Sequence, residues 1–199
     1  MRTTLIAALT GLWCMGLALA RAVPAPAPAP PSEQTSRLLT QIAEHRRQAT
    51  SEDRQAARQL QREGDRAYRE GRYARAERAY GDAYPNWPDG RTYLLHADAH
   101  WRAVRQVGTS GPAPGPGQCA IPNTHFPADL AGSLTQHYAV GLHLLWRDRD
   151  GRTSVLYRRG RAQADCLAAL AAHYETLPAQ TCVAPARLAV CLGAPLTVE

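Results

Sequence analysis

The chain contains no lysine; all 23 of its basic residues are arginine. Such uniform usage reads as the codon bias of a GC-rich genome rather than selection for phosphate contacts. Unbroken basic blocks are missing as well. Glu44, Glu52, Asp53, Glu63, Asp65, Glu70 and Glu77 are interleaved with the arginines of 46–78. That interleaving predicts a solvated helix surface with i,i+4 ion pairs and argues against a nucleic-acid arm. No serine stands in a nucleophile elbow, no glycine-rich loop opens a helix to hold phosphate, and no tight carboxylate pair stands out from the arginine background. The sequence therefore offers no catalytic constellation, and neither a cofactor nor a metal is expected.

The first residues follow a different logic. Met1 and Arg2 give a positive start, Thr4 to Ala20 form an apolar run, and Ala18-Leu19-Ala20 and Ala20-Arg21-Ala22 supply small-residue cleavage patterns. This three-part pattern predicts a signal peptide over 1–22, hence an exported protein, periplasmic or secreted. The polar, helix-breaking sequence that follows argues against a permanent membrane span. Trp13 before Cys14 argues against a lipoprotein. Removing 1–22 takes away Arg2 and Arg21 and no acid, so the formal charge falls from +6 to +4.

Four cysteines remain: Cys119, Cys166, Cys182 and Cys191. An even count clustered in one part of an exported chain favours two disulfides over a metal or a catalytic thiol. Three pairings are possible from sequence alone. The expectation adopted is Cys166 with Cys182, stapling a helix to a strand, and Cys119 with Cys191, closing the domain.

Residues 23–31, VPAPAPAPP, alternate proline and alanine and predict an extended polyproline II strut; the bland reading is a spacer and the sharper one a docking peptide. Ser32, with Glu33 behind it, marks a helix start, and Leu38, Leu39, Ile42 and Ala43 form one apolar stripe. Thr50 or Ser51, followed by Glu52 and Asp53, marks a second start. Gly71 ends that helix, Tyr73 to Ala83 form another, and Thr92 to Arg105 a further one. Gly108 to Gly117, GTSGPAPGPG, holds neither ladder nor helix and is read as a linker between domains at 32–107 and 118–199.

In 57–105 the residues Leu60, Gly64, Gly71, Tyr73, Ala76, Tyr80, Ala83 and Pro88 fall at the spacings of a helical hairpin repeat. This stretch resembles the tetratricopeptide repeat family, about one and a half repeats of a period near 34 residues. Glu63 and Ala67 depart from the family pattern. The resemblance implies a protein-binding groove lined by Arg58, Gln61, Asp65, Tyr68, Arg69 and Arg102. Such a groove would take a protein or peptide partner, favourably an acidic one, through bidentate guanidinium contacts, unless the protein's own chain covers it.

The C-terminal part reads differently. Val140, Leu142, Leu144 and Trp146 alternate before Asp148-Arg149-Asp150-Gly151, and Thr153, Val155 and Tyr157 alternate after it, predicting a β-hairpin. Ala162 to Leu177 predicts a helix, and short extended segments follow at Cys182-Val183 and Leu188–Leu192. The expected fold class is thus α+β: helical hairpins, then a small disulfide-stapled antiparallel sheet covered by one helix.

Three constellations carry competing chemistry. His96 and His100, in H-A-D-A-H, share a helix face and could bind a metal, with Asp98 to the side, but no third ligand follows at a fixed spacing and a polar helix face is the preferred reading. Cys119 near His125 could form a thiol dyad, which disulfide pairing would remove. Tyr68, Tyr73, Tyr80, Tyr84 and Trp87 could stack sugars, but at repeat spacing they read as packing. The expected function is a non-enzymatic interaction module of the cell envelope. The alternatives are a small periplasmic hydrolase or metal-binding protein using His96/His100 or a free cysteine, and an accessory subunit of a larger assembly.

Overall fold

The computed structural model describes residues 26–110, 115, 117–147 and 154–196. The signal-peptide segment 1–22, the first residues of the Pro/Ala stretch and the Asp148–Gly151 turn lie outside the described residues. The described residues form helices α1 (Glu33–Gln48), α2 (Ser51–Arg69), α3 (Tyr73–Ala83), α4 (Gly90–Ser110), α5 (Phe126–Ser133), α6 (Ala139–Arg147), α7 (Val155–Glu175) and α8 (Pro185–Leu192), with a π-helical turn, Leu134–Tyr138, joining α5 to α6.

Local chemistry explains the first three helices. Ser32 Oγ accepts from the Thr35 amide at 3.1 Å and caps α1. Thr50 and Asp53 form a reciprocal capping box that opens α2, each side chain taking an amide the helix leaves unpaired. Gly71 turns α2 into α3 with φ +70°, a left-handed conformation that an L side chain resists. Gly64 faces the Tyr80 ring, and a Cβ there would come within 2.6 Å of it, so the hairpin closes only around a glycine.

The expected α+β class is overturned: among the described residues there is no sheet, and the only β-type pairing is an isolated bridge between Pro122 and Cys182. The predicted strand at 138–147 is helical, as are 155–157 and 188–192. The physical reason lies in α6, which is buried on two sides. Val140 and Leu144, four residues apart, pack with Leu39 and Ile42 of α1, while Leu142 and Leu145 join the main core with Leu94 and Leu95 of α4. A helix apolar on two faces mimics alternation when only Val140, Leu142 and Leu144 are counted; the buried Leu145 breaks the period of two. Gly141 meets Gly90, where a Cβ would lie 3.0 Å from the Gly90 carbonyl, so α4 and α6 touch at their backbones.

One apolar core runs across the expected domain boundary, from Ala67 and Tyr80 to Leu188 and Leu196. Trp101, Phe126 and Tyr174 form an edge-to-face chain, with centroids 5.5 and 5.4 Å apart, linking α4, α5 and α7. Gly108, read as the start of a linker, lies inside α4.

All four cysteines expected to pair do so, but the partners are exchanged. Cys119 bonds Cys182 and Cys166 bonds Cys191. Segment 181–183 pairs with 121–123, the Val183 amide donating to the Ile121 carbonyl at 2.9 Å, which sets Cys182 beside Cys119. The C-terminal segment is a helix rather than a strand, and α8 packing on α7 brings Cys191 to Cys166. Mass spectrometry of a non-reducing digest should recover these two crosslinked peptides, and neither a 166–182 nor a 119–191 species. Serine at both members of either pair should lower unfolding stability by about 2–4 kcal/mol.

Candidate functional site

The six residues of the expected groove do not line an open surface. Arg102 and Tyr68 are buried. The Arg102 guanidinium pairs with Asp98, Nε to Oδ2 at 2.7 Å, and its Nη2 donates to the Leu192 carbonyl at 2.9 Å. Tyr68 donates to Asp98 and accepts the Leu196 amide at 2.9 Å. Gln163 of α7 completes the cluster, donating to Asp98 and to the Leu192 carbonyl. The chain's own segment from Leu192 to Leu196 therefore occupies this part of the groove. Arg91 Nη2 donates to both Asp65 carboxylate oxygens at 2.9 Å, and Asp65 also accepts from the Tyr80 hydroxyl. Gln61 donates to Thr92 and Asp89.

Only Arg58 and Arg69 of the six are exposed, and both lie on one face of α2. Arg62 and Arg66 share that face, which the groove assignment missed. At 100° per residue the four fall within an arc of about 80°, over about 16 Å of helix. All four are exposed, and none of their side chains has a hydrogen bond or salt bridge among the described residues. The neighbouring acids turn elsewhere: Glu63 pairs with Arg75 at 2.6 Å and Glu70 with Arg72. Beside the stripe, Gln59, Arg62, Glu63, Arg66, Arg72 and Arg75 line a hollow of about 350 Å³. The signal was readable as arginines at i, i+4, i+8 and i+11.

A second cluster grows from H-A-D-A-H. His96 and His100 share a face of α4, while Asp98 turns into the buried network. The π-helical turn brings in His137, whose ring lies 4.8 Å from that of His96. Glu77 of α3 bonds His100 Nδ1 at 2.8 Å. These groups line a cleft of about 560 Å³ with Asp129, Ser133 and Gln136. The Nδ1 atoms of His96 and His137 are buried without a hydrogen-bond partner among the described residues. No group of three or more His, Cys, Asp or Glu placed to hold a metal occurs among the described residues. Cys119, the thiol of the dyad considered with His125, is held in a disulfide. Of the aromatic set, Tyr68 and Tyr80 are buried, Tyr84 stacks on Tyr93 at 4.4 Å, and Trp87 lies under Arg54 and Arg46.

No protein-family model matches the chain, and no curated protein or solved structure matches it either.

Two predictions follow from these clusters. Asp98→Ala strands a buried guanidinium and should cost about 3–5 kcal/mol by urea denaturation, whereas Arg58→Ala, on the exposed stripe, should cost less than about 0.5 kcal/mol. Burial first, then neighbouring imidazoles, holds His96 and His137 at about 4, below the ordinary 6.5. Folded, both stay neutral where the unfolded chain takes up protons, so their contribution is complete above about pH 6.5 and is lost as pH falls toward 4. Glu77, lowered by its bond to His100, adds its own loss in the more acidic carboxylate range. Urea midpoints measured from pH 7.5 to 4.5 should therefore fall, and should fall less in His96→Gln/His137→Gln.

Proposed function

We propose that this protein is a non-enzymatic, exported interaction module of the cell envelope that binds an acidic protein or peptide through the arginine face of α2. The observation that carries this reading is the row Arg58, Arg62, Arg66 and Arg69, exposed and held in no salt bridge among the described residues. Like charges at i,i+4 destabilise a helix, so a partner that supplies carboxylates relieves repulsion as it binds. Guanidiniums suit the task because each can grip a carboxylate with two parallel bonds. Export is supported by the leader pattern of 1–22 together with two disulfides, which persist in oxidising compartments. Among the described residues no helix is long and apolar enough to cross a membrane, which is compatible with that reading. The likeness of 57–105 to tetratricopeptide repeats favours protein binding on general grounds, although the docking face proposed is the solvent side of α2 rather than the covered groove.

A labelled deca-glutamate peptide serves as the probe. Binding should weaken with rising salt, and Arg58→Glu/Arg62→Glu/Arg66→Glu/Arg69→Glu should weaken it by about 100-fold or more, with the urea midpoint retained. Equal binding by the variant would refute the proposal, as would tighter capture of phosphatidylglycerol vesicles or duplex DNA than of the peptide.

A further inference from the structure

Residues 26–31 lie along a groove between α6 and α7 before the chain enters α1. An extended proline-rich backbone makes no hydrogen bonds of its own, so its carbonyls stand free for an outside donor. Two side chains of the groove supply donors to the first two carbonyls of this segment. Tyr157 Oη donates to the Pro26 carbonyl at 3.0 Å. Arg161 Nη1 donates to the carbonyls of Pro26 at 2.7 Å and Ala27 at 2.8 Å. Leu134, Tyr138, Leu142 and Ala164 line the same groove as its apolar wall.

This is the chemistry by which proline-rich segments are recognised: donors for successive carbonyls beside an apolar surface for the rings. The chain's own segment uses it incompletely. Of residues 26–31 only Pro28 is partly buried, the others being exposed, and a cavity of about 300 Å³ stays open between the segment and the helices. A tethered segment needs little intrinsic affinity to stay bound, because its effective concentration is on the order of millimolar.

We infer that the groove between α6 and α7 is a binding site for an extended, proline-rich peptide of a partner protein, occupied in cis by residues 26–31. The site is separate from the basic face of α2, and its partner needs no acidic residues.

The test uses the full chain and a fluorescent peptide of sequence VPAPAPAPP. Pro26→Gly/Pro28→Gly/Pro30→Gly frees the groove by loosening the tethered segment, and should bind the peptide about tenfold or more tighter than the unaltered chain. Adding Arg161→Ala and Tyr157→Phe to that variant should abolish the gain. Both replaced side chains donate to backbone carbonyls of the segment, and near-UV circular dichroism verifies that the variants remain folded. Absence of saturable binding to the glycine variant overturns the inference, as does equal binding after Arg161→Ala. A proline-free peptide of equal length binding as well would refute recognition of proline. Sedimentation adds a further outcome: a concentration-dependent dimer of the unaltered chain, lost in the glycine variant, would assign the groove to a second copy and overturn the partner-protein reading.

Discussion

The buried pair of Asp98 and Arg102 is the constraint from which the rest of the molecule follows. A carboxylate and a guanidinium withdrawn from water lose several kilocalories of hydration each, and they stay charged only if every remaining lone pair and proton is answered. Here the answers come from three parts of the chain: Tyr68 of α2, Gln163 of α7, and the carbonyls of Leu192 and Gly193 at the end of α8. Because these donors and acceptors are scattered through the sequence, the pair is satisfied only when both halves of the chain are assembled. The network and the core thus join residues on both sides of residue 108, where the composition shifts.

The disulfides reinforce the same logic from outside the core. Cys166–Cys191 fixes α8 against α7, next to the Leu192 carbonyl that Arg102 and Gln163 share. Cys119–Cys182 fastens the paired segments 121–123 and 181–183, which carry Ile121 and Val183 into the core. Covalent closure shrinks the unfolded ensemble, and the buried network selects one arrangement within the smaller set. Neither feature depends on the outer face of α2, which leaves that face free to vary in charge.

Much of the helical half was legible because its signals are local. Ser32, the second start at Thr50 or Ser51 and Gly71 each act within one turn of helix; the structure caps α2 with Thr50, which forms a reciprocal box with Asp53. The rest was hidden by long-range packing. Residues 138–147 are buried against α1 and α4 at once, and two-sided burial removes the polar face by which a helix is usually recognised. His137 enters the cleft through a π-helical turn, in which an extra residue shifts the phase of every later side chain. No periodicity argument anticipates that shift. The cysteine partners were misassigned for a related reason: pairing follows tertiary neighbours, and placing Cys191 on a strand put it beside the wrong thiol.

The groove expectation failed in an informative way. Of the positions taken from the repeat resemblance, Tyr68 and Arg102 are buried against the protein's own C-terminal segment, while Arg58 and Arg69 stand on the solvent face of α2. Arg102 and Tyr68 bind backbone groups of the protein's own C-terminal segment through the donors and acceptors a peptide ligand would need. Burial then decides function: a guanidinium already satisfied by Asp98 and two carbonyls has nothing left for a partner. Charge available for recognition must therefore lie where no internal acceptor competes. Among the arginines of the hairpin, Arg72 and Arg75 are neutralised by Glu70 and Glu63, and of the exposed ones without a salt bridge Arg58, Arg62, Arg66 and Arg69 are aligned on the solvent face of α2, while Arg78 stands alone on α3.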